Sequence, residues 1–115
     1  MRYLLALVLS LVLASPALAA FEGPGTKADI TKAAQVLSAV DGAPCILEGH
    51  VLEKVTGSDD KYVFHDDSGK VIVDIDHKVF ADQKVTPTSR VRLSGKVDKH
   101  KTRESTVDVK HLQLL

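Results

Sequence analysis

The chain has 115 residues and carries 15 Lys and Arg against 15 Asp and Glu, so its formal charge is zero. That length holds one ordinary domain, and zero charge argues against a general nucleic-acid binder, which shows a basic excess. With 4% aromatics and no Trp, the chain also lacks material for the base-stacking platform of single-strand binders.

Met1-Arg2 opens the chain with a positive charge, Leu4 to Leu13 is an apolar run, and Ala17-Leu18-Ala19 is a small-x-small site. This order predicts a secretory signal peptide over residues 1–19, cleaved after Ala19; the pattern does not name the organism, though so compact a signal suits a bacterial periplasm. A membrane span needs about 20 continuous apolar residues, and Pro16 with its small neighbours interrupts the run before that. The remaining 96 residues would carry a net charge of −1. One Cys cannot close an internal disulfide in an oxidising compartment. Cys45, set among Ile46 and Leu47 at a strand start, reads as a small buried hydrophobe, with pairing to another chain as the alternative.

Residues 20–28 read as an extended lead-in, and 29–115 as a single domain. Ile30, Ala33, Ala34, Leu37 and Val40 recur at helical spacing, predicting a short helix capped by Thr26 or Asp29 and ended by Asp41-Gly42 before Pro44, or, with Ala28-Asp29-Ile30 as the cap region, only two turns. The period then becomes two. Cys45, Leu47, Gly49 and Val51 alternate with Ile46, Glu48 and His50, giving a first strand in which Gly49 marks a bulge or sharp coil. Tyr62 and Phe64 point one way on a second strand, with Val63 and His65 on the other side. Asp66-Asp67-Ser68-Gly69 is a hairpin turn. If His65 opposes Lys70, Phe64 meets Val71 and Tyr62 meets Val73, so every large apolar side chain of the hairpin lies on one face.

The third strand, Lys70 to Ile75, turns Val71, Val73 and Ile75 inward and Ile72, Asp74 and Asp76 outward. A helical turn over His77–Asp82 follows. Val91, Leu93, Gly95 and Val97 form a fourth strand that repeats the spacing of the first. Asp98 to Ser105 is a charged loop, and Thr106 to Leu114 is a fifth strand whose alternation fails at Leu112 and Leu114, predicting a late bulge or a packed end. Five strands with a helical piece between the third and fourth predict a mainly β fold, a small Greek-key OB-fold barrel, with the first helix plugging one end.

Gly23-Pro24-Gly25, Leu47-x-Gly49, Tyr62-Val63-Phe64-x-Asp66-x-Ser68-Gly69, Val71-x-Val73-Asp74-Ile75-Asp76-His77, Thr86-Pro87 and Leu93-x-Gly95-x-Val97-Asp98 occur in one order. Together they resemble the bacterial OB-fold (BOF) family of periplasmic stress-tolerance proteins, the YgiW/YdeI type. The resemblance covers nearly all of residues 20–115. It implies an exported, non-enzymatic domain tied to tolerance of oxidants, metals, acid or cationic antimicrobials, with no cofactor and no catalytic residues. Cys45 stands where the family suggests an aliphatic residue.

Neutrality is itself a cancellation. Between Asp41 and Asp82 ten carboxylates face four bases, a net of −6, and between Lys84 and Leu115 eight bases face three acids, a net of +5. Glu48, His50, His65, Asp74 and Asp76 share outward positions on the first three strands. If they reach one surface, they form an acidic face with two imidazoles, suited to a small cationic ligand or a divalent metal. Their spacing matches no closed metal signature. Asp66 and Asp67 read as turn residues that accept local backbone hydrogen bonds. Lys96, Lys99, Lys101 and Arg103 form a basic segment that offers a second reading, docking to an envelope protein with no small ligand. Ser, His and Asp fall in no nucleophile-elbow pattern, so no enzyme is expected.

Overall fold

In the computed structural model the residues described are 30–115; the expected signal peptide and lead-in lie outside them. Five strands form the body: β1 Pro44–Lys54, β2 Lys61–Asp66, β3 Gly69–Asp74, β4 Val91–Asp98 and β5 Thr106–Leu114. They close in the order β1-β2-β3-β5-β4, with β4 returning to β1. All pairs are antiparallel except β3 with β5. This is the five-stranded barrel expected from the alternation pattern. A four-residue helix, α1 (His77–Phe80), sits between β3 and β4.

The hairpin register is the expected one: His65 faces Lys70, Phe64 faces Val71 and Tyr62 faces Val73. Period-two alternation turns Leu47, Phe64, Val73, Leu93 and Val107 fully inward, and burial of such side chains is the main force holding the domain together. Cys45 is part of this core rather than available to another chain, and burial pushes its thiol up to about 11 against a smaller opposing effect of a hydrogen bond at Gly95.

β1 serves two neighbours in turn. Pro44 to Gly49 pairs with β4, and His50 to Lys54 pairs with β2. Gly49 is the switch point. A Cβ there would run into the carbonyl oxygen of His65 and come within 2.9 Å of Phe64 Cζ. Gly95 is confined in the same way, with the carbonyl of Asp108 where its Cβ would stand. Both glycines permit close backbone crossing, whereas the ladder irregularities fall beside them. In β1 the register shifts between Val51 and Glu53, and in the β4–β5 ladder it shifts opposite Ser94 and Gly95. The second shift leaves Lys110 as the extra residue of β5, moving the inward phase from Val109 to Leu112, which is buried. A bulge therefore explains the broken alternation at the chain's end.

The first helix departs from expectation. It is a 3-10 helix, η1 (Ala33–Ser38), and its buried residues follow a spacing of three: Ile30, Ala33, Val36 and Ala39. A 3-10 helix has about three residues per turn, so Ala34, Leu37 and Val40, chosen on an α-helical stripe, face away from the core. Leu37 is 56% exposed and Val40 72% exposed. Ile30 lies beyond the helix, bridged in parallel to Cys45, with the Ile46 amide donating to its carbonyl at 2.9 Å. It covers the edge of β1 that β2 has not yet reached, satisfying backbone groups that would otherwise stand unpaired. Val36 and Ala33 join the core cluster, so η1 closes the barrel end next to the β2–β3 hairpin.

Replacing Gly49 or Gly95 with Ala is expected to cost about 2–3 kcal/mol or more, because the obstructing atoms include backbone that cannot rotate away. Chemical denaturation of each variant checks this, and a loss below about 0.5 kcal/mol would contradict the close approach.

Candidate functional site

The β2–β3 turn does more than reverse the chain. Asp66 Oδ1 accepts from the Ser68 amide (2.8 Å) and hydroxyl (2.6 Å), the local bonds expected of a turn Asp. Asp66 Oδ2 accepts from the Ala33 amide at 2.9 Å, and Ser68 Oγ accepts from the Ala34 amide at 3.0 Å. The turn thus satisfies the orphan amides of η1 from across the molecule. Gln35 Oε1 takes the Thr31 and Lys32 amides, and Lys32 Nζ donates to Asp67 at 2.9 Å. Burial opposes ionisation of Asp66, but the hydrogen bonds from Ser68, Ala33 and Gly69 outweigh it and hold the carboxyl below its ordinary range.

Locking η1 against the turn leaves a cleft of about 560 Å³ on the outside of the barrel, lined by Thr31, Lys32, Ile46, Glu48, Gly49, His50, His65, Asp66, Asp67 and Arg90. That volume falls within the range of small-molecule sites. Its floor is the outward face of β1 and β2 at the pair His50–His65, directly opposite in register. The two rings lie 5.5 Å apart between centroids and are tilted by 40°. His50 Nδ1 lies 2.8 Å from the Ser89 carbonyl oxygen, which can only accept, so this nitrogen carries the proton. Glu48 accepts from Arg92 Nε at 2.8 Å and from Arg90 Nη2 at 3.3 Å. The hydrogen bonds from Arg92 and then Arg90 lower its pKa.

Of the five residues expected on one acidic face, the structure brings together three: Glu48, His50 and His65. Asp74 and Asp76 are elsewhere. His65 faces Lys70 at one end of the hairpin and Asp74 faces Lys61 at the other, a separation of four residues or about 13 Å along the strand. Asp74 accepts from Lys61 Nζ at 2.6 Å and from the Thr106 hydroxyl at 3.5 Å. Asp76 has left the sheet to cap α1, accepting from the Lys78 amide at 3.0 Å. The acidic run is therefore a series of carboxylates, several with a base or an amide of their own. Among the described residues no group of three or more His, Cys, Asp and Glu side chains is placed to hold a metal ion.

The basic segment is likewise divided. Lys99 turns back, its amide donating to Asp41 Oδ1 and its Nζ to the Ala39 carbonyl. Arg103 lies 3.4 Å from His100 Nδ1, while Lys96 and Lys101 are exposed. A smaller cavity of about 190 Å³, lined by Val55, Lys61, Ile72, Arg103, Glu104 and Thr106, sits between the β1–β2 and β4–β5 loops, the region where OB-folds commonly take ligands. Sequence reasoning missed Thr31, Lys32 and Arg90 as cleft residues. The usable signal was the shared Leu-x-Gly-x-Val spacing of β1 and β4, whose antiparallel pairing sets Glu48 opposite Arg92.

The family model of the bacterial OB fold (BOF) protein matches residues 13–114. The chain belongs to this family. It is 33% identical over 81 residues to the calcium-regulated OB-fold protein CarO of Pseudomonas aeruginosa, a match covering 70% of this chain and 68% of CarO. It is 43% identical over 67 residues to YgiW of Escherichia coli K12, covering 58% of this chain but only 49% of YgiW. The solved structure of E. coli YgiW superposes with a TM-score of 0.70 at 37% identity, covering 76% of this chain and 90% of that one. The telomere capping protein Ten1 of S. pombe, at 19% identity and a TM-score of 0.56 over 76% of this chain and 81% of its own, shares the fold alone. None of these names is that of an enzyme. Among the described residues no helix is long and apolar enough to cross a membrane.

Asp66→Ala is expected to cost about 1–2 kcal/mol, the scale of a lost helix cap. Because the folded pKa of Asp66 is depressed, its contribution is complete above the unfolded carboxylate pKa of about 3.9 and is lost as pH falls through the folded value. Denaturation between pH 7 and pH 2.5 should show Asp66→Asn losing less stability over the acid range than the native chain. Parallel curves would remove the turn's role as an anionic clamp.

Proposed function

We propose that this chain is an exported, non-enzymatic binding protein of the bacterial envelope, and that the cleft between η1, β1 and β2 takes a small polar ligand that is cationic or of mixed charge. The observation that carries this reading is the cleft itself. It has the volume of a ligand site, and its walls hold ion pairs at two places, Lys32–Asp67 and Glu48–Arg90. These pairs are solvent-exposed and individually weak, so a ligand bearing an amine, or an amine and a carboxylate, can exchange into them. Export is supported by the order of charge, apolar run and small residues over residues 1–19. Family membership supports a role in stress tolerance. The name of the CarO relative adds that one similar protein is calcium-regulated.

Docking to an envelope protein through Lys96, Lys99, Lys101 and Arg103 has less support, because Lys99 is engaged within the molecule. Backbone NMR titration with spermidine and with a short lysine-containing peptide separates the two. Shifts are expected at Thr31, Lys32, Ile46 to His50, His65 to Asp67 and Arg90. Shifts confined to Lys61, Ile72 and Arg103, or none with either probe, would sink the cleft reading. In the cell, loss of the gene should sensitise the host to oxidant, metal, acid or cationic peptide, with rescue by the native chain but not by Glu48→Gln combined with Asp67→Asn.

A further inference from the structure

We infer that the cross-strand pair His50–His65 is a binding site for a divalent transition metal ion of the zinc type, held by two imidazole nitrogens and open to water or to a bound ligand at its other positions. This rests on the cleft being the binding region, and it names the ion that region selects.

The geometry comes first. An imidazole nitrogen binds zinc at about 2.0–2.1 Å, which puts the ring centre about 3.2 Å from the metal. Two rings at a tetrahedral angle then have centres about 5.2 Å apart. His50 and His65 stand 5.5 Å apart with their planes tilted by 40°, rather than stacked in parallel. Their separation follows from the backbone, because they are register partners on adjacent strands of a closed barrel.

Proton placement is the second observation. His50 donates Nδ1–H to the Ser89 carbonyl, leaving Nε2 as the basic nitrogen. A metal-ligating histidine typically commits its other nitrogen in this way, which fixes both tautomer and ring orientation. Among the described residues the His65 side chain makes no hydrogen bond.

The third observation is what the neighbours have already bound. Asp67 is paired with Lys32, Glu48 with Arg90 and Arg92, and Asp66 holds the η1 amides. The carboxylates of the cleft have partners, whereas among the described residues His50 Nε2 and the His65 ring have none. Nitrogen donors favour zinc, nickel and copper, whereas calcium requires six to eight oxygens. With Asp66, Asp67 and Glu48 set against Lys32 and Arg90 along the walls, the cleft does not repel a cation.

The experiment is calorimetric titration of the folded protein with Zn²⁺ alone, paired with NMR of the histidine rings. We expect one Zn²⁺ per chain, with ring shifts at His50 and His65. Affinity should fall about ten-fold or more in His50→Gln and in His65→Gln, remain unchanged in His111→Gln, and resist an excess of Ca²⁺. Circular dichroism of each variant shows that the fold is retained. Zn²⁺ binding that survives both substitutions, or that disappears with His111→Gln, would overturn the assignment. If Zn²⁺ moves no cleft resonance while spermidine or the lysine peptide still does, the metal site fails and the cleft reading stands. If no probe moves a cleft resonance, both fail.

Discussion

β1 has to leave one neighbour and join another within a single strand, and the barrel closes only because Gly49 lets it. Up to Gly49 the strand is laddered to β4, and from His50 it is laddered to β2. The crossing brings the His65 carbonyl to where a side chain would begin. The same residue locates the cleft: His50 is the first position beyond the switch, so it faces His65, while Glu48, just before it, faces Arg92. A constraint on backbone approach thus decides which outward side chains become neighbours.

The segment before β1 depends on that switch as well. Because β2 joins β1 only from His50 onward, an edge is left for Ile30 to bridge, and η1 is carried over the barrel end to the β2–β3 turn. There Asp66 and Ser68 receive its first amides. The turn and the helix stabilise each other, and the cleft is the space they leave above the strand face. Its shape is therefore secured by charge-assisted hydrogen bonds at one end and by a packed barrel beneath, which favours a preformed site over one assembled on binding.

Electrostatics follow the same economy. The acidic first part and the basic second part of the chain meet in space where β1 lies against β4, and Glu48 with Arg90 and Arg92 is one point of contact. Elsewhere the acidic residues cap and pair locally, as Asp76 does for α1 and Asp74 with Lys61. What looks like an acidic surface along the chain becomes a surface of exposed pairs, each worth little alone, around the facing pair His50 and His65.

Much of the barrel was legible in the residues. Alternation identified the inward faces of all five strands, the hairpin register followed from Phe64–Val71 and Tyr62–Val73, and Leu112 marked a break in alternation that left a bulge and a packed end both open. These are local signals, carried by a period of two and by turn chemistry. η1 was misread because Leu37 and Val40 fit an α-helical stripe, while the bonds with the hairpin turn and the packing beneath select a period of three. The candidate site was only half legible. Glu48, His50 and His65 were correctly placed outward, but outward positions carry no hydropathy signal that says which of them meet. The amino-acid sequence by itself determined the strands, their buried faces and the two glycines that allow crossing. Only the tertiary structure decided that His50 meets His65, that Asp74 and Asp76 stand apart, and that Lys32 and Arg90 complete the cleft. Those neighbours are set by where β1 changes partner and where the turn grips the helix, relations between segments far apart in the chain.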